Sequence, residues 1–248
     1  MPRDKRHLSP FETTIRTKRG HTPKAPADFN MTRAVRNILR VYDELSTPAH
    51  RAHGRVWYIE ARHQCQRIAD ATGLPVEGVI GVMAALSPAN KWTRNVADCA
   101  AMCHAYALGG RGAASEVVVC TYAPNKAKAL DILAISHLGT FQCRHGIVND
   151  CRRILYGKAG RKLRSFYQCI LDGQREERGY NQTEVCIDGH AWGIAHADRK
   201  SMQNVPSMSA SRYAALQVAY QRAADKREVS APVMQAITWV AWRDQHNV

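Results

Sequence analysis

The sequence predicts an all-α protein, and three observations carry that prediction. Apolar residues recur at helical spacing from Met31 to Arg243. Joints rich in glycine, serine and asparagine separate the periodic segments, as helix ends require. Only one run, VVVCTY from Val117 to Tyr122, has strand character, and it is too short to build a sheet alone. At most one short strand pair is therefore expected.

The elements follow in order. Residues 1–30 carry Pro2, Pro10, Pro23 and Pro26 among basic and hydroxyl residues, the composition of a flexible arm. From there residues 31–248 read as one helical domain. Val35, Ile38, Leu39, Tyr42 and Leu45 mark its first helix, ended by Thr47-Pro48. Trp57, Ile59, Ala61, Cys65, Ile68 and Ala69 mark a second, stopped by Gly73. VEGVIGVMAALSP is nearly all apolar and suits a buried central helix ending before Pro88; its length and alanines favour helix over strand. Lys91 to Leu108 forms the next helix, closed by Gly109-Gly110. Further helices are predicted over Asn125 to Ile135, Gly146 to Leu155, Arg161 to Leu171, Asp188 to Ala197, Ser209 to Ala224 and Ala231 to Arg243.

Length and composition set the function classes. A chain of 248 residues fits one compact domain, or two lobes around a cleft. Hydrophobic content of 45% and charged content of 23% are those of a globular protein. The formal net charge of +14 is the unusual value, and it points to a polyanion such as nucleic acid. It is also concentrated. The first forty residues hold ten Lys or Arg against three acids, and Pro124 to Gln168 holds nine against two.

The eight cysteines are scattered singly with no CxxC pair, so zinc and iron–sulfur ligation are not expected. Reduced thiols in helix cores fit a reducing cytoplasm or nucleoid. No apolar stretch has signal-peptide form, and no apolar run approaches ~18 residues. A membrane partner is not expected.

Two segments carry candidate chemistry. In LYGKAGRKLRSFYQCIL a helix ends at Leu155, a tight loop holds Gly157 and Gly160, and a new helix starts at Arg161. The free N–H groups and positive dipole end of that second helix suit a phosphate. Lys158, Arg161, Lys162 and Arg164 add charge at the same place. An ordinary basic helix–helix turn is the alternative. In EVCIDGHAWGIAHA, Asp188 follows the apolar Val185-Cys186-Ile187 and opens a helix. It reads either as an N-cap or as a carboxylate presented for acid–base or charge-stabilising work.

The order of these segments, a glycine hairpin, a helix, then an apolar-Asp-x-His helix start, resembles the helix-hairpin-helix DNA glycosylase superfamily. Leu155, Gly157, Gly160, Arg161 and Lys162 match its hairpin; Ile187, Asp188 and His190 match its downstream element. Tyr156 stands where that family has proline, Gly189 where it has threonine, and the hairpin is one residue longer. The resemblance implies a two-lobed helical fold with duplex DNA as partner and an extruded base as substrate. It implies that Asp188 is the catalytic carboxylate, flanked by His190, and that Gly157 to Lys162 grips the phosphate backbone. Lys162 then stands where bifunctional members keep a Schiff-base lysine. No organic cofactor follows, and no cysteine follows Cys186 to hold a C-terminal iron–sulfur cluster. A monovalent cation at the hairpin is the one ion the resemblance allows.

The chain is also similar to phage-type members, some assigned to thymine hypermodification. Three activities are thus expected in order: N-glycosidic bond cleavage, group transfer onto a modified pyrimidine, and DNA binding without catalysis.

Three other places complete the candidate set. Asn90 and Trp92, after the central helix, are read either as a wedge for an opened base stack or as a helix cap and a packed ring. Tyr122 offers a stacking ring with Lys126 and Lys128 for phosphate, or else a solvated basic helix start. Gln235, Trp239 and Arg243, at i, i+4 and i+8, are read as a packing stripe.

Overall fold

A computed structural model describes residues 25–138, 144–156, 160–173, 184–199 and 204–247. The described residues are all-helical, with no strand among them. The chain divides into two compact units. Unit 1 comprises Met1–Tyr58 and Arg175–Val248, and unit 2 is the intervening Ile59–Gln174.

Unit 1 opens with α1 (Met31–Arg40), capped by Asn30, whose side chain accepts the Arg33 backbone N–H at 2.9 Å. A π-helical turn, Val41–Leu45, follows directly. Its looser winding leaves the Tyr42 carbonyl to other donors, and the Arg51 guanidinium reaches it at 3.0 Å. α2 (Pro48–Thr72) then runs from unit 1 into unit 2. The rest of unit 1 is α8 (Gly189–His196), α9 (Ala210–Asp225) and α10 (Ala231–His246). α9 and α10 start on Ser209 and Ser230, each accepting the N–H three residues on. The core gathers Ile38, Trp192, Ile194, Leu216, Tyr220, Met234, Ile237 and Trp242.

Unit 2 is built around α3 (Val76–Leu86), which packs on α4 (Trp92–Glu116), α5 (Ala123–Leu138), α6 (Arg144–Tyr156) and α7 (Arg161–Leu171). Val79, Ile80, Val82, Met83 and Leu86 are all fully buried. At roughly 1.5–3 kcal/mol for each large apolar side chain, this one helix anchors the unit.

Val117–Tyr122, the one run of strand composition, forms no strand. Its backbone bends at Cys120 and Thr121, where the Cys120 N–H bonds the Asp98 carboxylate at 2.8 Å and the Thr121 hydroxyl bonds the Pro88 carbonyl at 3.0 Å. Valines favour an extended backbone, but a strand needs a ladder partner, and these bonds go to a side chain and a loop. The helix from Trp92 is interrupted where expected, after Leu108. It breaks at Gly109 and at Gly110, where φ is +64°, then resumes to Glu116. Glycine supplies the break at little steric cost, and the Arg111–Glu116 segment can form another turn.

Residues 1–24, most of the expected arm, lie outside the described residues. No single helix among the described residues is long and apolar enough to cross a membrane.

Candidate functional site

The Asp188 cluster belongs to unit 1. The segment Glu184–Ile187 is buried and held by α9: Gln217 donates to the Val185 carbonyl at 2.9 Å, and the Ile187 N–H donates to the Tyr213 hydroxyl at 3.1 Å. Val185 and Ile187 anchor the chain in the core, so the residue after them emerges at a fixed point. That residue is Asp188, in extended conformation at the start of α8. Its Oδ1 accepts the Ala191 N–H at 2.8 Å, so it is the N-cap. Its Oδ2 accepts the Trp239 indole N–H at 3.2 Å, a contact from α10.

Capping alone would not need the second bond. It fixes the carboxylate's rotation while the residue stays half-buried. Around the Trp239 ring stand Trp57 at 5.8 Å, His190 at 6.3 Å, both edge-on, and the Arg243 guanidinium at 4.5 Å. Burial, and to a smaller extent the Asp188 charge, push the Tyr220 hydroxyl of α9 far above its ordinary range. The packing-stripe reading of Gln235, Trp239 and Arg243 is thus incomplete. Gln235 is buried and accepts the Tyr58 hydroxyl at 2.8 Å, whereas Trp239 and Arg243 form one side of the Asp188 cluster.

The hairpin cluster belongs to unit 2. Gly157 and Lys158 lie outside the described residues. Gly160 is buried at the N-cap of α7, and a Cβ there would come within 1.8 Å of the Leu155 carbonyl oxygen and 2.1 Å of that of Tyr156. Only glycine lets the two helices turn this tightly. Arg161 and Lys162 occupy the first turn of α7, both half-buried, and Arg164 lies 5.4 Å over the Tyr156 ring. Arg152 of α6 donates to Gln168 of α7 at 2.6 Å and fixes the pair. Trp92, half-buried, sets its ring edge-on to Phe166 of α7 at 6.5 Å.

The loops at residues 87–91 and 117–122 form a third cluster in unit 2, centred on Asp98. This carboxylate is 3% exposed. It accepts from Arg94 Nε at 2.6 Å, Asn90 Nδ2 at 3.0 Å and the Cys120 backbone N–H at 2.8 Å. Asn90 is therefore turned inward by its amide nitrogen, and its Oδ1 is buried without a partner among the described residues. Tyr122 is 63% exposed. Lys126 donates to the Ser115 carbonyl, and Lys128, two residues further along α5, is half-buried.

The expected residues therefore form groups by unit: Asp188 with His190 in unit 1, and Lys162 with the hairpin and loop residues in unit 2. Sequence reasoning missed Asp98 and the role of Trp239. The i,i+4 spacing of Arg94 and Asp98 was a usable signal for the first. Fifty-one residues separate Trp239 from Asp188, so no local pattern marks the second.

Among the described residues no group of three or more His, Cys, Asp or Glu side chains could hold a metal ion. The cysteines described are free thiols, all buried except Cys120. Burial pushes the Cys65 and Cys151 thiols up to about 12.

What the fold defines is an all-helical protein of two units, one inserted within the sequence of the other. The chain belongs to the DUF7178 family, a family of unknown function, whose profile matches residues 21–246. No curated protein and no solved structure matches the chain.

Proposed function

We propose that this protein binds duplex DNA and acts on a base taken out of the stack, with Asp188 as the catalytic carboxylate and N-glycosidic cleavage as the reaction. The observation that carries the reading is the Asp188 carboxylate itself. It is half-buried at a helix start and fixed through both oxygens, one by the Ala191 N–H and one by the Trp239 indole. A fixed negative charge in partly desolvated surroundings stabilises cationic sugar character more strongly than one in water. It can equally orient an attacking water.

Supporting it is the hairpin. Gly160 is required by the close approach of two carbonyls, and the first turn of α7 that follows carries Arg161, Lys162 and Arg164. Free N–H groups at a helix start and arginine forks are the donors a phosphodiester needs. In this reading Lys162 is the Schiff-base candidate, and borohydride trapping on DNA reports directly on that role. Tyr122, exposed beside the Asp98-held loop, is the ring available for stacking.

The test uses duplexes carrying unmodified, deaminated, alkylated or 5-substituted bases, scored for abasic sites and for released base. The wild type should process at least one of them. Asp188→Asn keeps the cap, since Asn and Asp cap about equally well. It should bind the same duplex at least as tightly and turn over roughly 10²-fold more slowly or worse. Undiminished turnover in Asp188→Asn would make Asp188 a cap only. DNA binding with no base released or altered in any duplex would leave a binding module.

A further inference from the structure

The hairpin gathers its charge in unit 2, and unit 1 carries a basic face of its own. α1 supplies it. Its inner face is Ala34, Val35, Asn37 and Ile38, all buried, continued by Val41 of the π turn. Its outer face carries Arg33, Arg36 and Arg40, all exposed. Their i, i+3, i+7 spacing aligns them along one side of the helix over about 10 Å.

The helix cannot rotate to hide them. Ile38 is fully buried, and Asn37 donates to the Ala195 carbonyl at the end of α8 at 3.0 Å. None of the three arginines has an acidic partner among the described residues. Other arginines of unit 1 do: Arg212 pairs with Asp28 and Arg227 with Asp43. The α1 charges are therefore available to an external anion. The chain that leads into α1, residues 1–24, brings seven more Lys or Arg against two acids.

We propose that the Arg33–Arg36–Arg40 face of α1 is a second binding surface for the nucleic-acid phosphate backbone, separate from the hairpin. The inference rests on the DNA-binding reading and extends it. A lipid surface is the poorer fit: an interfacial helix buries an apolar face in the bilayer, and the apolar face of α1 is already used in the core. All three positions are arginine, whose planar fork bonds a phosphate through two N–H groups. Such contacts set affinity and register but carry no base preference.

The experiment measures binding of a labelled random-sequence duplex against salt for the full chain. Each neutralised phosphate contributes about 0.9 to the log–log slope on duplex DNA. Arg33→Gln/Arg36→Gln/Arg40→Gln should lower the slope by roughly two to three, with base preference and melting temperature unchanged. The three substitutions to lysine should restore most of it, and each single Gln variant should lower it by about one. An unchanged slope in the triple Gln variant, while Arg161→Gln/Arg164→Gln does lower it, overturns the α1 surface and leaves the proposed function standing. A wild type that binds no duplex at low salt overturns both. Binding to phosphatidylserine vesicles through these arginines, without duplex binding, also overturns the proposal.

Discussion

Asp98 and Asp188 are both aspartates held by the chain, and they are held in opposite ways. Asp98, in unit 2, is 3% exposed and takes three hydrogen bonds, from Arg94, Asn90 and the Cys120 backbone. An ionised carboxylate has about four acceptor sites, so the fold uses most of them. Asp188, in unit 1, is half-buried and takes two, from Ala191 and Trp239. Its fixed carboxylate keeps capacity and a wet side for something else. A buried, nearly saturated carboxylate joins loops, whereas a fixed and partly open one is suited to chemistry.

The largest expected effect tests the first half of that contrast. Asp98→Ala leaves the part-buried Cys120 N–H, the Asn90 amide and the half-exposed Arg94 guanidinium without their acceptor. The cost should be about 2 kcal/mol of stability, because the Asn90 amide and the Cys120 N–H lose a charged acceptor, while the half-exposed Arg94 can turn to water. Asp188→Ala loses one N-cap together with the acceptor of the part-buried Trp239 indole N–H and should cost about 1 kcal/mol. Urea unfolding of both variants gives the comparison directly. Equal losses would break it, and would mean that both aspartates serve mainly the fold.

A smaller effect tests the second half. Trp239→Phe keeps an aromatic ring against Trp57 and beneath Arg243 but removes the indole N–H from Asp188 Oδ2. On a duplex that the wild type processes, kcat should fall by roughly five- to tenfold with KM little changed. That is the scale of one hydrogen bond to a charged group in a partly hydrated site. A raised KM with intact kcat would instead give Trp239 a role in binding DNA.

Much of the fold was legible because its signals are local. Asp188, Ser209 and Ser230 sit immediately before the helices that they cap, and α7 begins at Arg161 right after Gly160. The Val76–Leu86 helix was visible as a nearly all-apolar run of helical length. What failed was whatever depends on distant partners. Val117–Tyr122 has strand composition, yet Asp98, some twenty residues earlier, takes its Cys120 N–H. Asn90 is turned inward by the same carboxylate, which no window around Asn90 shows as buried. The Trp239 bond to Asp188 joins two helices from different parts of the chain. The position of Asp188 on its helix was thus readable, while the neighbours that make it a cluster were not.

The smallest expected effect lies at the far end of α8 and sharpens the contrast through pH. His196 stacks on Trp192 with ring centroids 4.3 Å apart, and its Nδ1 is 2.8 Å from the Trp192 carbonyl oxygen, so Nδ1 carries the donated proton. Burial is the main cause that lowers its pKa, helped by Arg212 and Arg33; the Trp192 carbonyl and Asp198 act the other way and are outweighed. A histidine whose folded pKa is lowered is protonated first in the unfolded chain. Stability from this residue is therefore complete above its ordinary value of about 6.5 and is lost as pH falls from there toward the lowered folded value. The imidazole is only half-buried, so solvent screening keeps the effect small. The partners of Asp98 include no imidazole, whereas the helix that presents Asp188 carries one at its end. His196→Gln should flatten the decline in unfolding free energy between about pH 7 and pH 5.5 while leaving the value above pH 7 nearly unchanged. His246, whose pKa burial also lowers, stays in place and retains its share of the slope. If His196→Gln declines as steeply as the wild type, the mild-acid sensitivity belongs elsewhere, and α8 is held as independently of pH as the Asp98 clamp.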